Sequence, residues 1–189
     1  LRIRKGPALV AFALLLGAQV LDPPAVRGTD PAESGESLRV AAVQLRIDES
    51  RLRSLAAFRG HVEKLVERCM GFRPHLIVFP EYTSVFLALL PYSDEILQSR
   101  SIQEGFQLIR QRDPLVRSFR DLFLLNSGLA QRAMEETFGA LARRHRVVIL
   151  AGTFFAWDRE GGQVQLRNRA VLYDREGKLL YSQDKVFLT

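Results

Sequence analysis

The apolar and polar residues of the chain follow two rhythms, one typical of buried strands and one typical of helices. Residues 38–45, "LRVAAVQL", form a short apolar run that predicts a buried strand. Between residues 55 and 70 the apolar positions recur at helical spacing, and they are Leu55, Phe58, Val62, Leu65, Val66, Cys69 and Met70. Gly71 and Pro74 end this predicted helix, and "HLIVF" follows at 75–79 as a second strand. The order strand, helix, strand predicts a β-α-β unit with two parallel strands.

The second half of the chain begins with the same rhythm and then changes to hairpins. A helix is predicted from an apolar face made of Leu129, Ala133, Met134, Phe138, Leu141 and Ala142, and a strand follows at 147–155. The turn-forming segments "DREGGQ" at 158–163 and "DREG" at 174–177 then predict two successive hairpins. Together with the β-α-β unit, these elements predict an α/β fold.

A helical insertion is expected at about 84–128, between the two halves. Ile102, Phe106 and Ile109 fit one amphipathic helix, and a second after Pro114 is predicted from Leu115, Val116, Phe119, Leu122 and Phe123. One hypothesis is that this insertion roofs a pocket and presents apolar residues to a bulky acyl substrate. The alternative is that its helices pack on the core or in a subunit interface.

The N-terminal segment has the pattern of a secretory signal or a membrane anchor. Residues 1–28 place basic residues before an uncharged apolar run at 8–21, which is short for a membrane-spanning helix. Residues 29–37, "TDPAESGES", are predicted to be a linker, so the domain is expected to cover 38–189. This pattern predicts an exported or membrane-associated protein. A cytoplasmic location is the alternative, if the N-terminal stretch is not part of the natural protein.

Composition excludes several classes of function. The chain has 189 residues, of which 47% are hydrophobic and 25% charged, as in ordinary globular proteins. Of its net charge of +6, residues 31–189 carry +4 at scattered positions, and the sequence has no basic stripe with interleaved aromatic residues that would predict nucleic-acid binding. Cys69 is the single cysteine, and the three histidines have no partner at metal-ligand spacing. We therefore expect no internal disulfide and no metal.

Two charged residues stand at the ends of apolar strands. Glu81 follows the second strand in "LIVFPEYT", at the edge of an α/β sheet where ligands bind, and a half-buried carboxylate there suits a general base. Lys185 lies in the apolar segment "DKVFLT". Each residue also has a structural interpretation: Glu81 could cap a turn or pair with a surface arginine, and Lys185 could be an edge residue with its ammonium in water.

The motifs, taken in order, resemble those of the nitrilase or carbon-nitrogen hydrolase superfamily. "RVAAVQL" is similar to its first strand, and "LIVFPE" to the segment that carries its catalytic glutamate. "VVILAGTFF" and "RNRAVLYDREGKLLYSQDKVFL" resemble the following strand, the hairpin and the lysine segment. The positions that match the pattern of these last segments are Asn168, Ala170, Tyr173, Gly177, Tyr181, Lys185 and Leu188.

This resemblance implies an α-β-β-α sandwich of the nitrilase type and a Glu-Lys-Cys triad. Glu81 would act as the general base and Lys185 would stabilise the tetrahedral intermediate, while a cysteine would attack an amide or nitrile and form a thioester. The family's cysteine follows the lysine segment, so we expect the fold to be incomplete at the C-terminus and this chain alone to be inactive. Cys69 is not expected to replace it, because it belongs to the apolar face of the first helix.

The resemblance also implies a small-molecule substrate, no cofactor, and self-association of the full-length protein as a dimer or higher homo-oligomer. Phe187 departs from the pattern, because the family often has histidine there. Two alternatives to hydrolysis stay open: a non-catalytic binding or assembly module on the same fold, and an N-acyltransferase that transfers the acyl group to an amine.

Overall fold

The computed structural model describes residues 37–45 and 53–185. The expected signal peptide or anchor at 1–28 and nearly all of the expected linker lie outside these residues, as do Phe187 and Leu188, so the expectations for them stay predictions. Within the described ranges, no helix is long and apolar enough to cross a membrane.

The first unit is the expected β-α-β arrangement. Strand β1 spans Val40–Ala42, helix α1 spans Leu55–Met70 and strand β2 spans Leu76–Val78. The hydroxyl of Ser54 accepts a hydrogen bond from the Ala57 N–H and so caps the helix, which buries Phe58, Val62 and Val66. β1 and β2 pair in parallel, as predicted, although β1 is shorter than the apolar run at 38–45.

The remaining strands complete one five-stranded sheet in the order β1-β2-β3-β4-β5. β3 spans Val148–Glu160, β4 spans Gln163–Tyr173 and β5 spans Leu179–Asp184. β3 runs parallel to β2, whereas β4 and β5 follow as antiparallel hairpins. The α/β class and both predicted hairpins are confirmed, and residues 37–45 and 53–185 contain one of the two sheets of the expected sandwich.

Six helical segments lie between β2 and β3. A 3-10 helix at Val85–Tyr92 is followed by α2 at Ser93–Gln98, α3 at Ile102–Arg112 and α4 at Phe119–Met134. A π-helical turn at Glu135–Gly139 continues α4 into α5 at Ala140–His145.

The helix from 119 to 145 passes the expected insertion boundary near 128 without a break. The sequence "NSG" at 126–128 is typical of a loop, yet its side chains bond within the helix. Asn126 Nδ2 donates to the Leu122 carbonyl at 2.9 Å, and the Ser127 hydroxyl donates to the Leu124 carbonyl at 3.1 Å. The last predicted insertion helix and the helix predicted after it are therefore one element.

Two apolar cores hold the molecule together. The main core lies between the sheet and helices α1, α4 and α5, and it buries one side of the strands, including Ile77, Ile149 and Tyr173. On the other side of the sheet Val40 is 51% exposed, since side chains alternate along a strand.

The second core lies within the insertion. Its fully buried members include Leu89, Ile109, Val116 and Leu122. It contacts the sheet through the partly buried Phe155 and Leu166, and Tyr82 in the turn after β2 also packs against it. Most apolar residues of the insertion, which one hypothesis placed against an acyl substrate, are thus packed against one another. This supports the alternative that the insertion packs on the domain. Leu115, at 64% exposure, is an exception.

Candidate active site

Glu81 stands on a sharp turn directly after β2. Pro80 precedes it, and Tyr82 follows it with a φ of 61°, which is a left-handed conformation that few residues other than glycine adopt. The Tyr82 N–H donates to Thr153 Oγ1 at 2.8 Å, and the Thr83 hydroxyl donates to the Pro80 carbonyl at 2.6 Å. These bonds fix the direction in which the Glu81 side chain leaves the backbone.

A glycine in β3 makes this turn possible. The register of β3 and β4 shifts between Leu150 and Thr153, and Gly152 lies in that irregularity with a φ of 74°. A Cβ on Gly152 would lie 2.1 Å from the Pro80 carbonyl oxygen and 2.5 Å from Thr83 Oγ1. The turn that carries Glu81 therefore packs against β3 at a distance that only glycine allows.

The sheet brings Lys185 to this turn across 104 residues of sequence. Lys185 follows the last residue of β5, and its Nζ donates to Glu81 Oε1 at 3.1 Å. The side chains are 36% and 44% exposed, respectively, so the pair is open to solvent on one side. Glu81 and Lys185, predicted separately from the sequence, therefore lie in direct contact.

Asn168 lies beneath the pair and contacts both of its members. Its Nδ2 donates to Glu81 Oε1 at 2.6 Å, and its backbone carbonyl accepts a hydrogen bond from the Lys185 N–H at 2.9 Å. The side chain is only 1% exposed, and its Oδ1 has no hydrogen-bond partner among residues 37–45 and 53–185. The sequence motif contained Asn168, but no role was predicted for it.

The end of β5 is held by charged groups beside Lys185. The Arg169 guanidinium donates to both carboxylate oxygens of Asp184, at 2.6 and 2.9 Å, and it also pairs with Asp158. The hydrogen bonds from Arg169 lower the pKa of Asp184 and outweigh the opposite effect of its partial burial. This bidentate contact holds the residue before Lys185 against β4.

Aromatic rings form the wall next to Glu81. The Tyr82 ring lies 5.9 Å from Phe155, which in turn lies 4.4 Å from Phe123 of α4, measured between ring centroids. Burial raises the pKa of the Tyr82 phenol, the negative charge of Glu81 raises it further, and Lys185 acts in the opposite direction. The phenol is thus neutral near pH 7.

Cys69 and Glu81 lie at opposite ends of β2. Cys69 lies in the last turn of α1, before β2 begins, whereas Glu81 follows the opposite end of β2. Its side chain packs partly against the main core, and this burial raises the pKa of its thiol, which disfavours the reactive thiolate.

The contact between Glu81 and Lys185 adds little to the stability of the fold. An ion pair with this exposure contributes about 0–1 kcal/mol, because water screens the charges. At a sheet edge the carboxylate can instead accept a proton, and the ammonium can stabilise a negative charge that develops on a substrate. Residues 37–45 and 53–185 hold no group of three or more His, Cys, Asp or Glu side chains that could bind a metal ion.

Three solved structures show what the chain is similar to. A double mutant of the amidase from Nesterenkonia sp. AN1, in complex with acrylamide, is 16% identical with a TM-score of 0.46, and the match covers 86% of this chain and 47% of that one. A carbon-nitrogen hydrolase from Helicobacter pylori is 18% identical with a TM-score of 0.41, and the match covers 80% and 40% of the two chains. For Saccharomyces cerevisiae Nit3, a member of branch 10 of the nitrilase superfamily, the identity is 17%, the TM-score 0.44, and the coverage 79% and 44%.

The chain spans less than half the length of each of these three proteins. No curated protein sequence matches it. A sequence model of the family described as carbon-nitrogen hydrolase matches residues 39–189, which is most of the chain and includes Glu81, Asn168 and Lys185. The chain therefore belongs to the carbon-nitrogen hydrolase family.

Proposed function

We propose that the protein hydrolyses a non-peptide carbon-nitrogen bond of a small amide or nitrile, with Glu81 as general base and Lys185 as the cation that stabilises the intermediate. The observation that carries this proposal is the 3.1 Å contact between Lys185 Nζ and Glu81 Oε1. Membership of the carbon-nitrogen hydrolase family supports the reaction class. The nucleophile in this proposal is a cysteine that is not among residues 1–189.

The reaction on an amide begins with proton transfer. Glu81 accepts the thiol proton, and the thiolate attacks the carbonyl carbon, so that a carbon-sulfur bond forms and the oxygen becomes negative. A fixed ammonium near this oxygen stabilises it more in the transition state than in the ground state, and Lys185 supplies that charge. The open side of the ion pair leaves room for a reacting group.

The second half of the cycle returns the proton. The intermediate collapses, the carbon-nitrogen bond breaks, and the leaving nitrogen takes the proton from Glu81. Water then attacks the thioester while Glu81 accepts a proton from it, the carbon-sulfur bond breaks, and the thiolate takes up the proton as the acid leaves. Atoms and charges balance without a cofactor.

Self-association and export belong to the same proposal but depend on the sequence alone. We propose that the complete gene product forms a dimer or higher homo-oligomer, and that residues 1–28 direct export or membrane association. Size-exclusion chromatography with light scattering would test the first statement, and cell fractionation the second.

The test of the reaction is ammonia release by the complete gene product from a panel of short amides and nitriles. Glu81→Gln should lower turnover by a factor of about 10² or more, because the base is lost while the shape is kept. Glu67→Gln is the matched control, since Glu67 is an exposed carboxylate on α1. Near wild-type turnover in Glu81→Gln, or no ammonia from any substrate, would overturn the proposal.

A further inference from the structure

We infer that Asn168 is the positioning residue of the Glu81–Lys185 pair. Its side chain sets the rotamer of Glu81, and its backbone sets the position of Lys185 along β4. The inference rests on the proposed function only where it concerns turnover. Its structural part, that one residue holds both charged groups, can be tested without any substrate.

The side chain of Asn168 shares a carboxylate oxygen of Glu81 with Lys185. Nδ2 donates to Glu81 Oε1 at 2.6 Å, so the carboxylate oxygen that accepts from Lys185 Nζ is the same oxygen that accepts from Asn168. A bond to an ionised acceptor is stronger and more directional than one between neutral groups. The Glu81 side chain is 44% exposed and that of Lys185 is 36% exposed, so the buried Asn168 is held more firmly than the lysine that shares the same oxygen.

The backbone of Asn168 bonds the backbone of Lys185. The Asn168 carbonyl accepts from the Lys185 N–H at 2.9 Å, immediately after the ladder pair of Arg169 with Asp184. Asn168 also pairs with Phe155 of β3, beyond the irregularity that contains Gly152. The position of Lys185 relative to Glu81 is thus set through residue 168 from both neighbouring strands.

The amide oxygen of Asn168, Oδ1, is buried and has no hydrogen-bond partner within the part of the chain that the structure describes. A buried polar atom in that state destabilises the fold. Turning the amide over would not help, because it would point an oxygen at the Glu81 carboxylate. An apolar residue of the same size would avoid the penalty, so a structural role alone does not account for asparagine at this strand position.

Asn168 is a positioning residue and not a catalytic one, because at 1% exposure it cannot reach a substrate. Its loss should therefore lower kcat and leave KM near the wild-type value. Misplacement of a reacting group by about 1 Å costs on the order of 10²-fold in rate, so a decrease of at least about 10-fold in kcat is expected.

The experiment compares Asn168→Leu with wild type in the complete gene product. Leucine has a similar size and removes both the donor and the unpaired acceptor, so we expect the variant to fold. A water-soluble carbodiimide joins a carboxylate to an amine in contact with it, with loss of water, and mass spectrometry measures the Glu81–Lys185 amide. We expect the yield of this cross-link to decrease at least about 10-fold in Asn168→Leu, which is the lower end of the factor expected for a lost hydrogen bond to a charged group.

The control is Asn126→Leu, which removes an asparagine whose side chain bonds within helix α4 and with the Tyr92 phenol, and bonds neither Glu81 nor Lys185. It should keep the wild-type cross-link yield, kcat and KM. A wild-type yield in folded Asn168→Leu would overturn the inference. Loss of the cross-link in a protein that hydrolyses no amide or nitrile would support the positioning role and refute the proposed function, so the two failures can be told apart.

If Asn168→Leu does not fold, NMR of the wild-type side chain decides the question. One Nδ2 proton of Asn168 should be shifted downfield by the carboxylate, and the shift should disappear in Glu81→Leu. Identical Asn168 amide shifts in the two proteins would overturn the inference.

Discussion

Gly152→Ala is expected to destabilise the fold through a clash with the turn that carries Glu81. Gly152 has a φ of 74°, and a non-glycine residue in this conformation costs about 1–2 kcal/mol. The added Cβ would also lie 2.1 Å from the Pro80 carbonyl oxygen, which is a backbone atom that cannot turn away. Overpacking of this kind costs about 1–3 kcal/mol. The sum is a loss of about 2–5 kcal/mol in the free energy of unfolding.

Gly161→Ala separates the two contributions. Gly161 also has a positive φ, 58°, but a Cβ there would meet no atom within 4 Å, so only the conformational cost of about 1–2 kcal/mol applies. Urea unfolding followed by circular dichroism measures both variants, with the midpoint interpreted at constant slope. In thermal unfolding the melting temperature should decrease by about 2–4 °C for each kcal/mol in a domain of this size.

If Gly152→Ala is no less stable than Gly161→Ala, the predicted clash with the Pro80 carbonyl is refuted. That result would mean that the Pro80 carbonyl does not lie against Gly152, and the support for the position of Glu81 would be lost with it. A Glu81–Lys185 cross-link yield that is lowered in Gly152→Ala and unchanged in Gly161→Ala would connect the clash to the site.

Three further predictions concern stability. Arg169 lowers the pKa of Asp184 in the folded protein, so the ionised Asp184 stabilises the fold above its unfolded pKa of about 4, and this stabilisation is lost as the pH falls below that value. In Asp184→Asn the free energy of unfolding should therefore depend less on pH in the acid range, which acid unfolding monitored by fluorescence would measure. Burial raises the pKa of Tyr173, so the wild-type protein loses stability as the pH rises above the unfolded tyrosine pKa of about 10. In Tyr173→Phe the free energy of unfolding should depend less on pH in this alkaline range, and an unchanged dependence in alkaline unfolding would contradict this. Leu122→Ala, which empties a fully buried site in the insertion core, should lower the free energy of unfolding by about 2–5 kcal/mol in urea, whereas Leu125→Ala at a 50% exposed position should have little effect.

The elements that the sequence predicts well are those with local signals. Helix α1 follows from its apolar spacing, and the two hairpins follow from the turn residues at Gly161, Gly162 and Gly177, all of which have positive φ. The continuity of the helix through 126–128 was not predictable in this way. Asn126 and Ser127 favour a loop by propensity, and only the packing of α4 on both cores selects the helix.

The geometry of the site depends on distant pairings that no local pattern encodes. The contact between Glu81 and Lys185 requires the parallel pairing of β2 with β3, the irregularity at Gly152 and two hairpin registers. Each is set by tertiary packing. The left-handed conformation of Tyr82 is likewise imposed by its bond to Thr153.

Asn168 did leave a signal in the sequence. Side chains alternate along β4, so Leu166, Asn168, Ala170 and Leu172 share one face, where asparagine is the polar member. A polar residue on an apolar strand face needs a partner. The sequence could therefore have predicted that Asn168 bonds to something, but not that its partner is Glu81.

The most direct test of the central claim is a double-mutant cycle of Glu81→Gln and Lys185→Ala for amide hydrolysis by the complete gene product. Each single variant should lose a factor of about 10² or more in kcat, and the double variant should lose little beyond the weaker single variant, because the two side chains act as one unit. Lys178→Ala, at an exposed position in the same hairpin, is the control and should retain full activity. Turnover near the wild-type level in either single variant, or losses that multiply in the double variant, would contradict the account.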